Sequence, residues 1–246
     1  MHAFLPDGIE PWLAGGLIAF SIVASAISAT TSIGGGSMML TILALVLPQP
    51  ALVPVHGILQ LGSNFSRLVF MRRHLPDISF RVFAAGAAIG SVLGGTVAVH
   101  VPQKLFIAGL GAFILWSVWG RMPGFLQRIG IAIGGFATGI ITMFIGATGP
   151  FVGAFLRPMF PDRRQFVAAH AGCMSIQHTF KLVVFGVLGF AYGPYLPLLA
   201  AMVAAGALGS YLGRHVLMWL GDERFQLVLK AALTLAALRL IWSAVE

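Results

Sequence analysis

The sequence predicts an all-α, polytopic membrane protein built from two inverted repeats, each with one short half-helix. Three observations predict it. Of 246 residues, 58% are hydrophobic and 9% charged, with a mean hydropathy of +0.94, which is too apolar for the surface of a soluble domain. Breakers divide the chain into about ten apolar segments, eight long and two short. The two short segments each follow a glycine-containing turn, and they occupy corresponding places in the two halves.

The first segment, about 12 to 33, is preceded by Asp7 and Glu10 and by no Lys or Arg. It lacks the basic start of a signal peptide and is expected to be retained. It ends in Ser32-Ile33-Gly34-Gly35-Gly36-Ser37, after which a second segment runs only from about 37 to 47 and stops at Pro48. At ~1.5 Å per residue such a helix covers about half of a ~30 Å hydrocarbon core. Its glycine turn leaves amides that lipid cannot satisfy, so protein or a water-filled cavity must receive them. Segments three to six follow at about 52 to 71, 80 to 100, 104 to 120 and 126 to 146. The turn then recurs as Gly146-Ala147-Thr148-Gly149-Pro150, with Thr148 as N-cap and Pro150 in the first turn of a second half-helix, about 150 to 160. The last three segments lie at about 165 to 190, 195 to 218 and 224 to 244.

Charge placement sets the topology. The net charge of +8 would suggest nucleic acid in a soluble chain, but here the basic residues gather in short loops, as positive-inside anchoring requires. Arg72, Arg73 and Arg81 share one loop, Arg121 and Arg128 another, Arg157, Arg163 and Arg164 a third, and Arg214 and Arg224 a fourth. If all four loops are cytoplasmic, each segment changes side once and both termini lie outside. Internal similarity divides the chain into a first repeat over 1–122 and a second over 123–246 of one membrane domain. His56, Asn64 and Arg67 have the spacing of His170, His178 and Lys181 at an offset of 114, and Gly86, Gly90, Gly94 and Ala98 match Ala201, Ala205, Gly209 and Gly213 at 115. Five segments per repeat is an odd number, so the second copy enters from the opposite side.

The residues that can bind fall in these repeated places. Amides at Gly34, Gly35, Gly36 and Ser37, and at Thr148 and Gly149, lie at half-helix N-termini, where the macrodipole favours an anion. His56, Gln60, Ser63, Asn64 and Arg67 form one polar helical face, which His170, Gln177, His178 and Lys181 repeat. Such stripes line a pathway or join neighbouring helices. Arg67 is near enough to its segment end to snorkel, whereas Lys181 is well inside. All seven acids lie in termini, loops or segment edges, so no buried carboxylate serves a cation or a proton relay. Basic and donor groups without acids favour a negatively charged substrate, with Thr30, Thr31 and Ser32 adding hydroxyls. If protons are coupled, His56, His170 and His178 are the candidates. No cofactor or metal is expected, and an enzyme lacks both a catalytic dyad and a motif such as H-E-x-x-H. The single cysteine, Cys173, excludes an internal disulfide and reads as packing. The stripes Gly86-Gly90-Gly94 and Ala201-Ala205-Gly209-Gly213 read as close helix contacts, within the chain or in a homo-oligomer. Trp116, Trp119, Trp219 and Trp242 read as interfacial anchors.

Together, the Gly34-Gly35-Gly36 turn after a first span, its degenerate copy at Gly146 to Pro150, the His56 to Arg67 helix followed by Arg72-Arg73, and the duplication resemble the TauE/SafE sulfite exporter family of anion permeases. The resemblance implies a multi-pass permease of the bacterial cytoplasmic (inner) membrane that moves a small sulfur anion, sulfite, a sulfonate or sulfoacetate, typically outward. In that reading the half-helix amides replace the hydration of the anion, Lys181 or Arg67 supplies charge, and Asn64, Gln177 and His178 orient it. Its partners are then the anion and the lipid bilayer, with no nucleic acid. A channel for anions or neutral solutes shares the pathway without coupling. A thiosulfate-uptake permease is expected to use cysteine relays, and Cys173 has Leu59 as its counterpart in the first half.

Overall fold

The computed structural model describes Pro6 and residues 9–31, 34–121, 123–216 and 223–245. Ten α-helices occupy them, and no strand is present among the described residues. They are α1 (Pro11–Thr31), α2 (Gly35–Val46), α3 (Gln49–Met71), α4 (Phe80–Ala98), α5 (Gln103–Trp119), α6 (Ile131–Ile145), α7 (Gly149–Leu156), α8 (Arg163–Val187), α9 (Leu196–Val216) and α10 (Glu223–Val245). Each expected segment has its helix, and the boundaries differ where breakers act. The sixth begins only at Ile131, because Pro123-Gly124 opens a separate 3-10 turn over Gly124–Arg128 and Gly130 follows it. The half-helices are confirmed as short, with 12 residues in α2 and 8 in α7.

The exterior is apolar, as expected of a membrane protein. On α4, Ile89, Val92, Leu93 and Val97 are about half exposed, while Phe83, Ala87, Gly90 and Gly94 on the opposite face are buried. Windows in three helices, Pro11–Ala29, Phe80–Ala98 and Gly193–Gly213, are long and apolar enough to cross a membrane. Helices α3 and α8 instead carry the polar stripes, and they bury them. His56, Asn64, Arg67, His170, Gln177, His178 and Lys181 are all buried, so Arg67 does not snorkel.

The largest interfaces join α4 to α6 and α1 to α9, followed by α3 with α8 and α5 with α10. Exchanging α1–α5 for α6–α10 maps this set onto itself. Helices that are each other's counterparts in this exchange, α3 with α8 and α5 with α10, meet antiparallel. Gly57 of α3 packs on Lys181 of α8, while Arg67 and His170, toward the opposite ends, share a cavity. In α5 and α10, Gly111 faces Ala237 and Ile241, and Trp119 Nε1 donates to Thr234 Oγ1 at 2.9 Å.

The small-residue stripes close contacts within the chain. A Cβ on Gly86, Gly90 or Gly94 would strike the α6 backbone at Ala132, Phe136 or Ile140, and one on Gly209 or Gly213 would strike α1 at Ile22 or Ala26. The anchoring tryptophans divide. Trp119 and Trp242 are exposed, but Trp116 is half-buried and stacks on Phe151 of α7 at 5.3 Å, so it braces a half-helix. Trp219 lies outside the described residues. At the α4–α6 seam the backbone has no room to yield. Gly90→Val is therefore expected to cost about 1–3 kcal/mol or more by overpacking, read as a lower unfolding temperature and a smaller monodisperse fraction in detergent. Gly109→Ala in α5, where a Cβ meets nothing within 4 Å, should be neutral or slightly stabilising; equal behaviour of the two variants would refute the seam.

Candidate anion-binding cavity

The three glycines at the start of α2 have three separate reasons. Gly34 takes φ of 113°, a region that L side chains rarely adopt. A Cβ on Gly35 would strike the Ala24 carbonyl and the Ser28 hydroxyl of α1, and one on Gly36 would approach Gln60 Oε1 of α3 to 2.9 Å. The turn is thus left-handed at its first glycine and pressed between two helices at the others. Ser32 and Ile33, which precede it, lie outside the described residues, as do the side chains of Thr30 and Thr31. In the second half the left-handed position is Gly146, with φ of 78°, which ends α6. Thr148 occupies the N-cap position of α7 but does not cap it with its side chain. Its hydroxyl instead donates to Gln177 Oε1 at 3.0 Å, and Pro150 sits in the first turn as expected.

Both turns are pinned by equivalent histidines. His56 Nε2 donates to the Gly36 carbonyl at 2.9 Å, and His170 Nε2 donates to the Gly149 carbonyl at 3.0 Å. A carbonyl only accepts, so each Nε2 carries a proton. The half-helix starts differ in what they offer. Gly35, Gly36 and Ser37 have no acceptor within α2, whose first intrahelical bond runs from Met38 N to Gly34 O. In α7, Pro150 has no N–H and Phe151 N returns to Thr148 O at 3.0 Å, leaving chiefly Gly149.

One cavity lies between these two starts. Gly34, Gly36, Ser37, Asn64, Arg67, Gly149, His170 and His178, all expected at a site, line it. Ser28, Gln60, Gly146, Ala147, Pro150 and Met174 complete the wall. Ser28 belongs with Ser21 and Ser25 to a polar row on α1 at helical spacing, the signal that would have found it; Gln60 was visible on the α3 stripe. Five expected residues stand behind the wall. Gly35 packs on α1, His56 holds Gly36, Thr148 and Gln177 bond each other, and Lys181 Nζ donates to the Gly146 carbonyl at 3.0 Å. The expected charge from Lys181 is therefore applied to the end of α6, not to the cavity wall. Its alkyl chain reaches that point over Gly57, where a Cβ would come within 2.9 Å of Lys181 Cδ.

Arg67 is the cavity's own cation. It is 4% exposed, its Nη1 reaches Asn64 Oδ1 at 3.4 Å, and Asn64 Nδ2 is held by Gln60 O at 2.8 Å. Its Nε has no partner, and neither do His170 Nδ1 nor either nitrogen of His178. No carboxylate whose side chain is described faces them: Glu10, Asp77 and Asp162 are exposed. Positive helix ends, a buried guanidinium and open nitrogen donors or acceptors surround one small space. Chemically, that arrangement suits an oxyanion.

The family model for the sulfite exporter TauE/SafE matches residues 17–240, nearly the whole chain. No curated protein and no solved structure matches it.

Lys181 provides the test of how the second turn is held. Lys181→Met keeps the packing over Gly57 but leaves the Gly146 carbonyl without its donor. An unsatisfied buried acceptor costs about 1–3 kcal/mol, so the variant should unfold at lower temperature in detergent. Unchanged stability would show that the amine does not hold the turn.

Proposed function

The chain belongs to the TauE/SafE sulfite exporter family, and from that premise we propose that it carries a small sulfur-containing anion, sulfite, a sulfonate or sulfoacetate, outward across the cytoplasmic membrane by alternating access. The family is one of membrane permeases rather than enzymes. In the proposed site the amides of Gly36, Ser37 and Gly149, residues that line the cavity, bind the anion, Arg67 neutralises it, and Asn64, His170 and His178 orient it. The repeats, 1–122 and 123–246, act as inverted units that rock against each other along α3 and α8 in a multi-pass fold.

The observation that carries this reading is Arg67. A guanidinium at 4% exposure with an open Nε and no facing carboxylate among the described side chains is costly in an apolar interior unless a counter-ion visits it. Uptake of thiosulfate through a cysteine relay has less support, because Cys173 is fully buried in an apolar cluster on α8. An open channel has less support, because the cavity is small, about 20 Å³, the space of roughly one or two waters.

Binding to the purified protein, followed by thermal shift and calorimetry, tests the reading with sulfite, sulfoacetate, taurine, thiosulfate, sulfate and a neutral analogue. A ligand stabilises the state that it binds, so selective stabilisation by a sulfur anion is expected. Arg67→Gln should remove about 2–5 kcal/mol of it, at least roughly 30-fold in Kd. Stabilisation by the neutral analogue alone, or undiminished anion binding in Arg67→Gln, would overturn the site.

A further inference from the structure

We propose that His178 is the proton-coupling group of this site, taking up one proton as the anion enters the cavity and releasing it as the anion leaves. The proposal rests on the cavity between the half-helix starts being the anion site. Three histidines were equal candidates by sequence, and the structure separates them. His56 and His170 each give Nε2–H to a first-turn carbonyl, which fixes their tautomer and makes them struts of the turns. His56 is also absent from the cavity wall. His178 is fully buried, lines the cavity, and has no partner on either ring nitrogen. Buried polar atoms are rarely left so, and a ring open at both nitrogens is free to carry a proton on one or on both.

The groups that face it explain why an anion would bring the proton. On α8 these are His170 and Lys181. From α3 come His56, edge-on with ring centroids 6.3 Å apart, and Arg67 across the same cavity. Helix α4 contributes only Arg81, which is exposed. The 3-10 turn Arg72–His74, which also packs on α8, adds exposed Arg72 and Arg73 and half-buried His74. Helices α6 and α7 contain no titratable side chain. Among the described side chains every charged neighbour is therefore a cation, and in the proposal negative charge reaches His178 with the ligand. An anion beside an imidazole favours the imidazolium through Coulomb attraction and an N–H donated to the anion. Linkage is reciprocal, so the proton tightens the anion by the same factor as the anion tightens the proton. When the anion departs, Arg67 and Lys181 repel the imidazolium and the proton follows it out. The proton comes from solvent on one side and returns to solvent on the other, and one proton per monoanion makes the step electroneutral.

The test uses the full-length protein in detergent with methanesulfonate and with sulfate, oxyanions that keep their charge across the neutral range. Calorimetric titration in two buffers of different ionisation enthalpy should give an uptake of about one proton per anion, and the affinity should fall as pH rises. His178→Gln, which cannot titrate, should take up about none and bind about tenfold more weakly; His178→Asn repeats the measurement in a shorter side chain. Binding without proton uptake, affinity independent of pH in the unaltered protein, or uptake that persists in both variants overturns the coupling role and leaves the anion site standing. Failure of either oxyanion to bind, with sulfite and sulfoacetate also silent, overturns both.

Discussion

Backbone polar groups left open inside an apolar bundle constrain everything else in this protein. Two helices begin deep in the fold, and each start exposes amides that hydrocarbon cannot satisfy. The chain answers with side chains from the two helices that run beside them. His56 and His170 hold the first-turn carbonyls of α2 and α7, and Lys181 holds the carbonyl that ends α6. Because those residues must be polar and buried, α3 and α8 are less apolar than ordinary spans. They must then be shielded by other helices: α9 and α6 pack on α3, α4 and α6 pack on α8, and α1 packs on α9 and α2.

Shielding in turn depends on close backbone approach. The α4–α6 seam has glycine on both sides, with Gly86, Gly90 and Gly94 opposed by Gly135 and Gly139. The α1–α9 seam has glycine on one side only, Gly206, Gly209 and Gly213, against Ser21, Ile22, Ser25 and Ala26. There a second small polar cavity opens beside Ser21, Ser25, Ser63 and Gly206, meeting the first at Ser28 and Gln60. The two halves share a plan of packing while differing in how tightly the plan is executed.

Much of this plan was legible in the sequence. Ten segments, two short helices, the repeat of the His56 stripe in α8 and the glycine turns could all be read from hydropathy, breakers and spacing, because those signals are local or periodic. Local patterns could not tell which polar groups face the cavity and which hold its walls. Lys181 and Arg67 occupy equivalent places at an offset of 114, yet one reaches a backbone carbonyl and the other a cavity. The notch at Gly57 that admits the Lys181 chain has Ala171 as its counterpart, a single methyl group whose effect depends on a helix far away in sequence. Trp116 likewise looked like an anchor until the position of Phe151 made it a brace.

These departures from symmetry bear on how such a site can work. A strictly two-fold cavity would present two equal cations and two equal amide nests, and an anion would sit on the axis. Here α2 begins with three amides that have no acceptor within the helix, where α7 offers chiefly Gly149, and the cavity-lining cation comes from α3. Both differences favour placement of an anion toward the first half. His178 then lies opposite Asn64, its own counterpart by spacing, so one position holds a neutral amide and the other a titratable ring. The first half supplies fixed positive charge and direction. On the proposed coupling the second supplies the group whose charge changes, and that separation would let a single ligand govern the electrostatics of the cavity.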